Sequence, residues 1–402
     1  MKTVLRGGKL YKSGALVDNV SLEVEDLTVM NDDTKRVIEL DNSFILPSFC
    51  DVHVHFREPG FGYKETIRQG SMAAARGGYT AVGTMPNLKP APHDVDSLKV
   101  QQDIIDQDAV ISVLPYGTIT ENQSGTGKLS DMEGMAESVI AFSDDGKGVQ
   151  DDGLMREAMN VAKSLGKLIV AHCEDESLLR EGKVRESEWK QIERDLKLAD
   201  ETGCGYHVCH ISCKESVEVI RDAKKSGVDV TCETAPHYLV LNLDDVKRGI
   251  AADPSHGGRF KMNPPIKEAA DQEALIQGAL DGTVDMVATD HAPHSAEEKS
   301  RGFEKSLNGI TGLECAFPVL YTKLVRPGVM TLERLLEMMS YVPRERFGIR
   351  EENSYVIMDL LNPYTVDSKV FLSMGKCTPF EGWEVYGKTL WTLKEGQIVY
   401  KA

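Results

Sequence analysis

No stretch of this sequence is long and apolar enough to span a bilayer. Residues 1–16 lack the continuous apolar run that a secretory signal needs, so we expect no such signal. Internal repeats and low-complexity segments are not visible. The composition, with 41% hydrophobic and 27% charged residues, is that of an ordinary globular protein. We therefore expect a folded cytoplasmic protein without a membrane partner.

Paired cysteine motifs and an excess of positive charge are also missing. The eight cysteines are scattered without CxxC spacing, which is typical of reduced thiols in a protein core. The 63 acidic and 46 basic side chains leave a net charge of −17, which argues against a nucleic-acid partner. A small anionic substrate stays possible, because one well-placed arginine can bind a carboxylate locally.

The middle of the chain alternates short apolar runs with amphipathic stretches. The predicted strands are 49–56, 79–85, 110–114, 139–143, 168–172, 206–211, 228–234 and 286–289. The predicted helices are 65–76, 153–164, 189–199, 215–225 and 272–280. Helix-stopping glycines are expected at Gly77, Gly166, Gly203, Gly227 and Gly282. Eight strand–helix units over roughly 250 residues indicate an α/β fold of the (β/α)₈ TIM-barrel type. A doubly wound open sheet is the alternative.

Both ends of the chain have strand-and-turn texture instead. The predicted terminal strands are 3–5, 10–11, 20–24, 37–40, 355–358, 370–372, 390–393 and 398–400. Because 402 residues exceed the usual size of one compact core, we expect two domains. The barrel would comprise residues 47–349. Residues 1–46 and 350–402 would together form a small composite β-sandwich domain.

A candidate metal-binding pair ends the first predicted strand. Residues two apart on a strand face the same side, so His53 and His55 point together and can bind zinc or a similar ion. The fourth strand ends in Asp144 and Asp145, both of which qualify as ligands by residue type.

Further candidate ligands follow three other predicted strands: His172, His210 and Asp290. All strand ends of a barrel meet at one mouth, where active sites lie. Four imidazoles and two carboxylates are too many for one tetrahedral zinc with an open position, so the set predicts two ions. Asp290 is then the expected proton shuttle.

The remaining polar residues near these strands receive no catalytic assignment. His93, His207 and His256 have no partner pattern, and His207 is expected to face away from His210. The cysteines adjacent to His172 and His210 are expected to point away from the mouth. Glu233 and His237 are open to a role at the mouth or in the core.

Two long motifs resemble the signatures of dihydroorotases in the amidohydrolase superfamily. They are residues 51–60 (DVHVHFREPG) and 288–299 (ATDHAPHSAEEK). Residues 85–87, 171–174, 207–210 and 261–265 resemble further blocks in family order. The resemblance implies two Zn²⁺, one held by His53, His55 and Asp290 and the other by His172 and His210. It also implies a bridging aspartate in place of the carboxylated lysine of many superfamily members, and the family spacing favours Asp145.

The same resemblance implies the substrate and its contacts. Arg57 and Asn87 would bind the carboxylate of dihydroorotate, and Asn263 and His294 would contact its ring and carboxylate. The implied reaction is the reversible hydrolysis of dihydroorotate to N-carbamoyl-aspartate in pyrimidine synthesis. A metal-bridged hydroxide attacks the ring amide, and Asp290 acts as general acid and base.

Two alternatives remain open from sequence. The chain could be a hydantoinase, dihydropyrimidinase or allantoinase, although these usually lack an arginine at position 57. It could also be a non-catalytic scaffold subunit for aspartate transcarbamoylase, although every ligand position is filled. A shortened segment between His172 and His210 leaves docking of such a partner open, and a homo-oligomer is expected by analogy only.

Overall fold

The computed structural model describes residues 2–12, 14–18, 20–25, 35–40 and 42–402. The first strands are β1 Lys2–Arg6, β2 Lys9–Lys12, β3 Ala15–Asp18, β4 Ser21–Glu25, β5 Lys35–Glu39, β6 Phe44–Pro47, β7 Phe49–Val54, β8 Tyr79–Thr84 and β9 Ser112–Pro115. The later strands are β10 Ile169–Ala171, β11 Tyr206–Val208, β12 Val230–Thr234, β13 Met286–Val287, β14 Tyr355–Asp359, β15 Tyr364–Thr365, β16 Glu384–Val385, β17 Lys388–Lys394 and β18 Gln397–Lys401.

Fifteen α-helices lie in the described part of the chain. The first eight are α1 Ile67–Gly77, α2 Val95–Asp108, α3 Met132–Met135, α4 Asp152–Ser164, α5 Glu176–Arg180, α6 Val184–Thr202, α7 Lys214–Lys225 and α8 Pro236–Val240. The others are α9 Leu243–Ala252, α10 Ala269–Asp281, α11 Ala296–Lys299, α12 Gly302–Lys305, α13 Ala316–Leu320, α14 Leu332–Leu336 and α15 Val342–Arg346. Among the described residues, none of these helices is long and apolar enough to cross a membrane.

The middle strands run parallel in two sheets, ordered β7-β8-β9 and β10-β11-β12-β13. Single-residue parallel bridges connect their edges, with Phe142 between Gly117 and Ile169, and His291 beside Val54. Helices intervene between successive strands, so the architecture is α/β, as predicted. Because all seven strands run the same way, their carboxyl ends meet at one side of the molecule.

The fourth predicted strand, at residues 139–143, is wrong as a full strand. Only Phe142 of this segment forms β-bridges, to Gly117 and Ile169. Ile140 N and Ser143 N donate to Pro115 O and Gly117 O on one side, and Phe142 N donates to Leu168 O on the other. Beyond Ser143 the chain turns, and Asp145 N donates to Ser143 Oγ at 3.1 Å instead of to a neighbouring strand. The segment therefore bridges the two parallel sheets without lengthening either of them.

The predicted helices are present with slightly different ends. Thr66 begins α1 by accepting a hydrogen bond from Gln69 N, and Asp151 caps α4 in the same way. The predicted stop at Gly77 is wrong by one residue, because Gly78 takes the left-handed conformation with φ of 92°. Gly77 instead permits a close approach, since a Cβ there would lie 2.3 Å from Leu313 O. Gly203 and Gly282 end their helices as predicted.

Strands from the two chain ends share one sheet. Its order is β18-β17-β14-β6-β2-β3, and β14 from the tail pairs antiparallel with β6 from the head. A second sheet, β4-β1-β5, contributes Leu5 and Ile38 to a buried cluster with Ile45, Ile357 and Leu393 of the first. The expected strand at residues 20–24 is present as β4, while residues 26–34 lie outside the described part of the chain.

The predicted tail strand at residues 370–372 is wrong. Residues Ser368–Val370 form a 3₁₀ turn that Asp367 caps by accepting from Lys369 N. The next backbone N–H groups, of Leu372 and Ser373, donate to the two oxygens of Glu314 at 2.8 and 3.1 Å. A carboxylate from a distant segment thus satisfies the donors that a neighbouring strand would otherwise satisfy.

A buried ion pair ties together the amino ends of β7, β8 and β9. Arg344 donates to Phe49 O, Thr80 Oγ1 and Glu351 Oε2 at 3.2, 2.9 and 3.1 Å. Glu351, whose side chain is 3% exposed, also accepts hydrogen bonds from the hydroxyls of Thr80 and Ser112. This cluster lies at the opposite ends of the strands from the candidate ligands, where it can only support the fold.

We expect Arg344→Ala to lower the free energy of unfolding by about 3–5 kcal/mol, because it leaves the buried Glu351 charge without its partner. Urea denaturation followed by circular dichroism measures the change. Arg350→Ala is the matched control, since Arg350 is exposed on the same segment. Equal stability of the two variants would contradict a supporting role for the pair.

Candidate metal centre

His53 and His55 lie at and just beyond the carboxyl end of β7, and both are buried. The Nε2 atom of His53 lies 3.5 Å from Asp145 Oδ1 and 3.7 Å from Asp290 Oδ1. The Nε2 atom of His55 lies 3.1 Å from Asp290 Oδ1 and 3.6 Å from Asp145 Oδ2. The pair predicted from its i, i+2 spacing therefore faces both candidate carboxylates.

Asp145 lies at the centre of the cluster. Its Oδ1 atom is 3.7 Å from His172 Nδ1 and 3.7 Å from His210 Nε2, in addition to its contact with His53. His172 Nδ1 and His210 Nε2 are themselves 3.0 Å apart. One carboxylate thus faces four imidazoles that come from three different strand ends.

Asp144, the other aspartate in this turn, has a different environment. Its carboxylate accepts hydrogen bonds from Ile119 N at 2.8 Å, from Thr120 N at 3.1 Å and from the Thr120 hydroxyl. These bonds hold the loop that follows β9. Only Asp145 therefore brings its carboxylate into the histidine cluster, while Asp144 is committed to the backbone.

Left-handed backbone occurs at two of the clustered residues. His210 and Asp290 have φ of 32° and 48°, values that non-glycine residues seldom adopt. Each follows the last residue of a short strand, β11 or β13, by only a few positions. The left-handed turn after each strand changes the direction of the His210 or Asp290 side chain. Backbone strain of this kind is concentrated at functional sites.

The donor set fits a bound divalent cation. His53 Nε2 and Asp145 Oδ1 are fully buried, yet neither has a hydrogen-bond partner among the described residues. The donor atoms of His53, His55 and Asp290 all lie within 4.8 Å of one another. The same is true of the donor atoms of His53, Asp145 and His210. Buried imidazole and carboxylate donors without partners are the arrangement that divalent metal ions require.

The electrostatics keep both carboxylates ionised. Burial alone would raise the pKa of Asp290, but a hydrogen bond from His55 and the charge of His53 lower it below its ordinary range. The pKa of Asp145 is likewise lowered against burial, chiefly by His53. Two negative charges therefore face the enclosed space between the imidazoles.

Glu233 orients His53 from the side opposite the carboxylates. The Nδ1–H group of His53 donates to Glu233 Oε1 at 2.6 Å, which leaves the lone pair of Nε2 free to bind a metal ion on the side of Asp145. His207 Nε2 donates to Glu233 Oε2 at 3.2 Å, and Thr231 Oγ1 lies 2.8 Å from His207 Nδ1. Burial would raise the pKa of Glu233, but His53 and His207 lower it to about 2.

Two expectations about this inner layer are wrong. His207 has a role that sequence spacing did not suggest, since it holds the carboxylate that orients His53. Cys209 was expected to point away from the mouth, yet its sulfur lies within 4.8 Å of a ring nitrogen of His53 and a carboxylate oxygen of Glu233. The expected alternation of side chains between the two faces of the strand fails here, because β11 ends at Val208 and His210 takes a left-handed backbone conformation. Cys173 does point away, toward Tyr206.

The other predicted residues line a cavity of about 230 Å³ above the cluster. Arg57 donates from Nε to Pro293 O, and Asn87 donates to Asp145 O at 2.8 Å. Asn263 and His294 complete the predicted set on its wall. Of the ten predicted site residues, only His53 is too deeply buried to line this cavity.

Several residues at the cavity were missed. Glu174 accepts from His172 Nε2 at 2.7 Å and from Asn263 Nδ2 at 2.8 Å, so it orients both. Its position two residues after His172 was a usable signal. Asn308 and Gly309 line the cavity itself, and Asn308 O accepts from His294 Nε2 at 2.6 Å. Both lie on a loop after α12, and no sequence motif or periodicity near them indicates a place at the site.

Two further histidines differ from the clustered ones. His291, inside the second long motif, does not face the cluster, since its Nε2 lies 3.3 Å from Glu65 and its Nδ1 accepts from Gly312 N. It supports the loop that presents Asp290. His237 is buried, which lowers its pKa to about 4, and its Nε2 has no partner among the described residues.

Known proteins resemble this chain along its whole length. The family model described as dihydro-orotase-like matches residues 42–216. A dihydroorotase of Fusobacterium nucleatum is 45% identical and aligns with 99% of this chain and 96% of its own. A dihydroorotase of Bacillus cytotoxicus is 42% identical, over 99% of this chain and 94% of its own.

Solved structures give the same fold at lower identity. An L-hydantoinase (dihydropyrimidinase) from Arthrobacter aurescens superposes with a TM-score of 0.85 at 24% identity, covering 99% of this chain and 96% of its own. A dihydropyrimidinase from Brevibacillus agri reaches 0.84 at 22% identity, covering 100% and 95%. At these identities the likeness establishes the fold alone.

We expect Glu233→Gln to weaken divalent-metal affinity by about 10- to 100-fold, because the amide orients His53 less firmly than the carboxylate does. Competition against a fluorescent chelator measures the affinity. Glu157→Gln, a change on an exposed face of α4, is the matched control. Unchanged affinity in the first variant would remove Glu233 from the support of the metal centre.

Metal binding should also stabilise the fold. A divalent ion that binds only the folded chain adds about 4 kcal/mol at a thousand times its Kd. We therefore expect chelator-treated protein to gain several degrees in Tm when Zn²⁺, Mn²⁺ or Co²⁺ is restored, as scanning calorimetry would measure. A Tm indifferent to all three ions would contradict a metal centre in this cluster.

Proposed function

This chain belongs to the dihydroorotase family, and on that premise we propose that it catalyses the reversible hydrolysis of (S)-dihydroorotate to N-carbamoyl-L-aspartate in pyrimidine biosynthesis. As a member of this family it is a cyclic amide hydrolase. The observation that carries the proposal is one cavity in which Arg57 lies beside a cluster of buried metal-binding donors. That combination suits a ring that carries both a cleavable amide and a carboxylate.

The proposed metal centre comprises two zinc ions. His53, His55 and Asp290 would hold one, His172 and His210 would hold the other, and Asp145 would lie between them, as its distances to the four imidazoles support. When bound, such ions supply Lewis acidity to the amide carbonyl and lower the pKa of water. Glu233 and Glu174 would keep His53 and His172 in the tautomers that binding needs.

Arg57 is the proposed anchor for the substrate carboxylate. Its side chain is partly buried, and the loss of solvent lowers its pKa to about 10, which leaves it charged at neutral pH. The Nε atom donates to Pro293 O, while its terminal nitrogens make no hydrogen bond to a described residue. They can therefore bind both oxygens of a carboxylate. Asn87, Asn263 and His294 would complete this subsite from the same cavity wall.

Asp290 is the proposed proton carrier. Its carboxylate is ionised, and its Oδ1 atom lies 3.1 Å from His55 Nε2. It would take up the proton of the attacking water and deliver it to the leaving ring nitrogen, and the reverse in ring closure. The loop held by His291 keeps this carboxylate at the cavity.

The proposed architecture is a closed (β/α)₈ barrel of residues 47–349 with a composite β-sandwich domain of residues 1–46 and 350–402. The single-residue bridges at Phe142 and His291 support closure. The hydrophobic cluster between the two terminal sheets supports the second unit.

A hydantoinase-type activity on neutral rings is the second candidate, because solved hydantoinases share the fold. Arg57 argues against it, since a neutral ring leaves a partly buried guanidinium without an anionic partner. A non-catalytic scaffold for aspartate transcarbamoylase is less well supported, because the structure gathers every proposed ligand.

We expect Asp290→Asn to reduce kcat for dihydroorotate by about 1,000-fold or more, because the amide cannot accept the proton. Hydrolysis followed in the ultraviolet measures the rate, and circular dichroism checks the fold. A rate within a few-fold of the unmodified enzyme would exclude Asp290 as the proton carrier.

Substrate choice tests the Arg57 assignment. We expect zinc-loaded protein to hydrolyse dihydroorotate but not hydantoin or dihydrouracil. Arg57→Gln should lower kcat/KM for dihydroorotate by about 10- to 100-fold through loss of a charged hydrogen bond. Arg68→Gln, on the exposed face of α1, should have no effect. Turnover of the neutral rings alone would assign the protein to the hydantoinase type.

A further inference from the structure

A second cavity of about 270 Å³ adjoins the proposed reaction cavity. His294 is the one described residue that belongs to the walls of both. The far walls of the second cavity come from Arg259, from Ala296 and Lys299 of α11, and from Lys376. None of these four residues contacts the histidine cluster, and none belongs to the proposed catalytic machinery.

The charge of this cavity is opposite to that of the protein as a whole. Arg259, Lys299 and Lys376 lie on its walls, and none of its wall residues is acidic. Four other cavities of the described chain, of 230 to 330 Å³, each have at least two carboxylates on their walls. In a chain of net charge −17, a concave site without carboxylates is an exception.

No carboxylate neutralises the three cations. Lys299 donates to the carbonyl oxygens of Lys261, Leu307 and Gly309 at 3.1, 2.7 and 2.6 Å. Lys376 likewise donates to Ser373 O at 2.6 Å. These bonds hold the ammonium groups in place without cancelling their charge. The side chain of Arg259 makes no hydrogen bond or ion pair within the described part of the chain.

The rest of the wall combines apolar side chains with the uncharged polar groups of Ser295 and Ser300 and the imidazoles of His256 and His294. Met374, whose side chain is among the exposed large hydrophobic ones, lies on the wall with Ala296 and Cys377. Apolar surface combined with a few convergent charges is typical of small-molecule sites. The volume matches a single ring that bears an anionic group, and it is too small for a peptide.

We propose that this cavity is a second binding site, for a small organic anion with an apolar body, and that it is linked to the reaction cavity through His294. The anion would bind Arg259 and Lys376, and its ring would pack against Met374 and Ala296. Such an occupant touches the imidazole whose Nε2 donates to Asn308 O in the reaction cavity. Because Arg259, Ala296 and Lys376 lie outside the proposed catalytic machinery, the site would serve a ligand other than the ring that is hydrolysed.

The probe is phenyl phosphate, which combines a ring with a doubly charged group. Calorimetric titration into metal-loaded full-length protein should show one binding event that phenol and inorganic phosphate each reproduce only weakly. We expect Arg259→Gln to raise the Kd by roughly tenfold or more through loss of a charged contact. Arg248→Gln removes an exposed arginine outside the cavity and should leave the Kd unchanged.

A second variant tests the location without changing charge. Ala296→Leu places three more carbon atoms in the cavity from an exposed position on α11, so it should weaken phenyl phosphate binding without affecting the fold. Binding that is unchanged in both Arg259→Gln and Ala296→Leu, or that is weakened by Arg57→Gln instead, would overturn the proposal. Because binding is measured without turnover, this result is separate from any failure of the proposed reaction.

Discussion

The buried carboxylate of Asp145, facing four imidazoles at 3.5–3.7 Å, is the constraint on which the rest of the site depends. A charge removed from water must be compensated, and hydrogen bonds from the described residues do not compensate this one. A divalent cation is the kind of partner that could satisfy the carboxylate and the imidazoles together. The parallel strands supply that geometry, because their carboxyl ends converge while each chain segment contributes only one or two ligands.

The residues that support the cluster from inside the protein are also polar, because buried polar groups need hydrogen-bond partners there. Glu233 fixes the tautomer of His53 and is itself held by His207, while Glu174 acts similarly on His172. Buried networks of this kind are stable only when every member is paired, and here each carboxylate has at least two donors. At the amino ends of the strands, Arg344 and Glu351 likewise form a paired polar contact that is largely shielded from solvent. Polar anchors therefore hold both ends of a largely apolar core.

Charge is distributed unevenly over the surface near the cavity. The protein carries a net charge of −17, yet Arg57, Arg259 and Lys376 line two cavities that share His294. Buried and concave cations are little affected by distant surface carboxylates, because solvent screens the latter over about 10 Å at ordinary ionic strength. An acidic protein can thus attract anionic ligands at one face.

Sequence alone determined the residue types and the local periods. The i, i+2 spacing of His53 and His55, the alternation of strands with helices, and two long motifs were sufficient for the α/β architecture, the family and the ten candidate residues. Tertiary structure decided what depends on contacts between distant segments. It selected Asp145 over Asp144, turned His207 and Cys209 toward Glu233, reduced the fourth strand to bridges, and used Glu314 to hold the turn after Val370. Local periodicity cannot show these outcomes, because each follows from a hydrogen bond or a left-handed backbone turn imposed by residues far away in the chain.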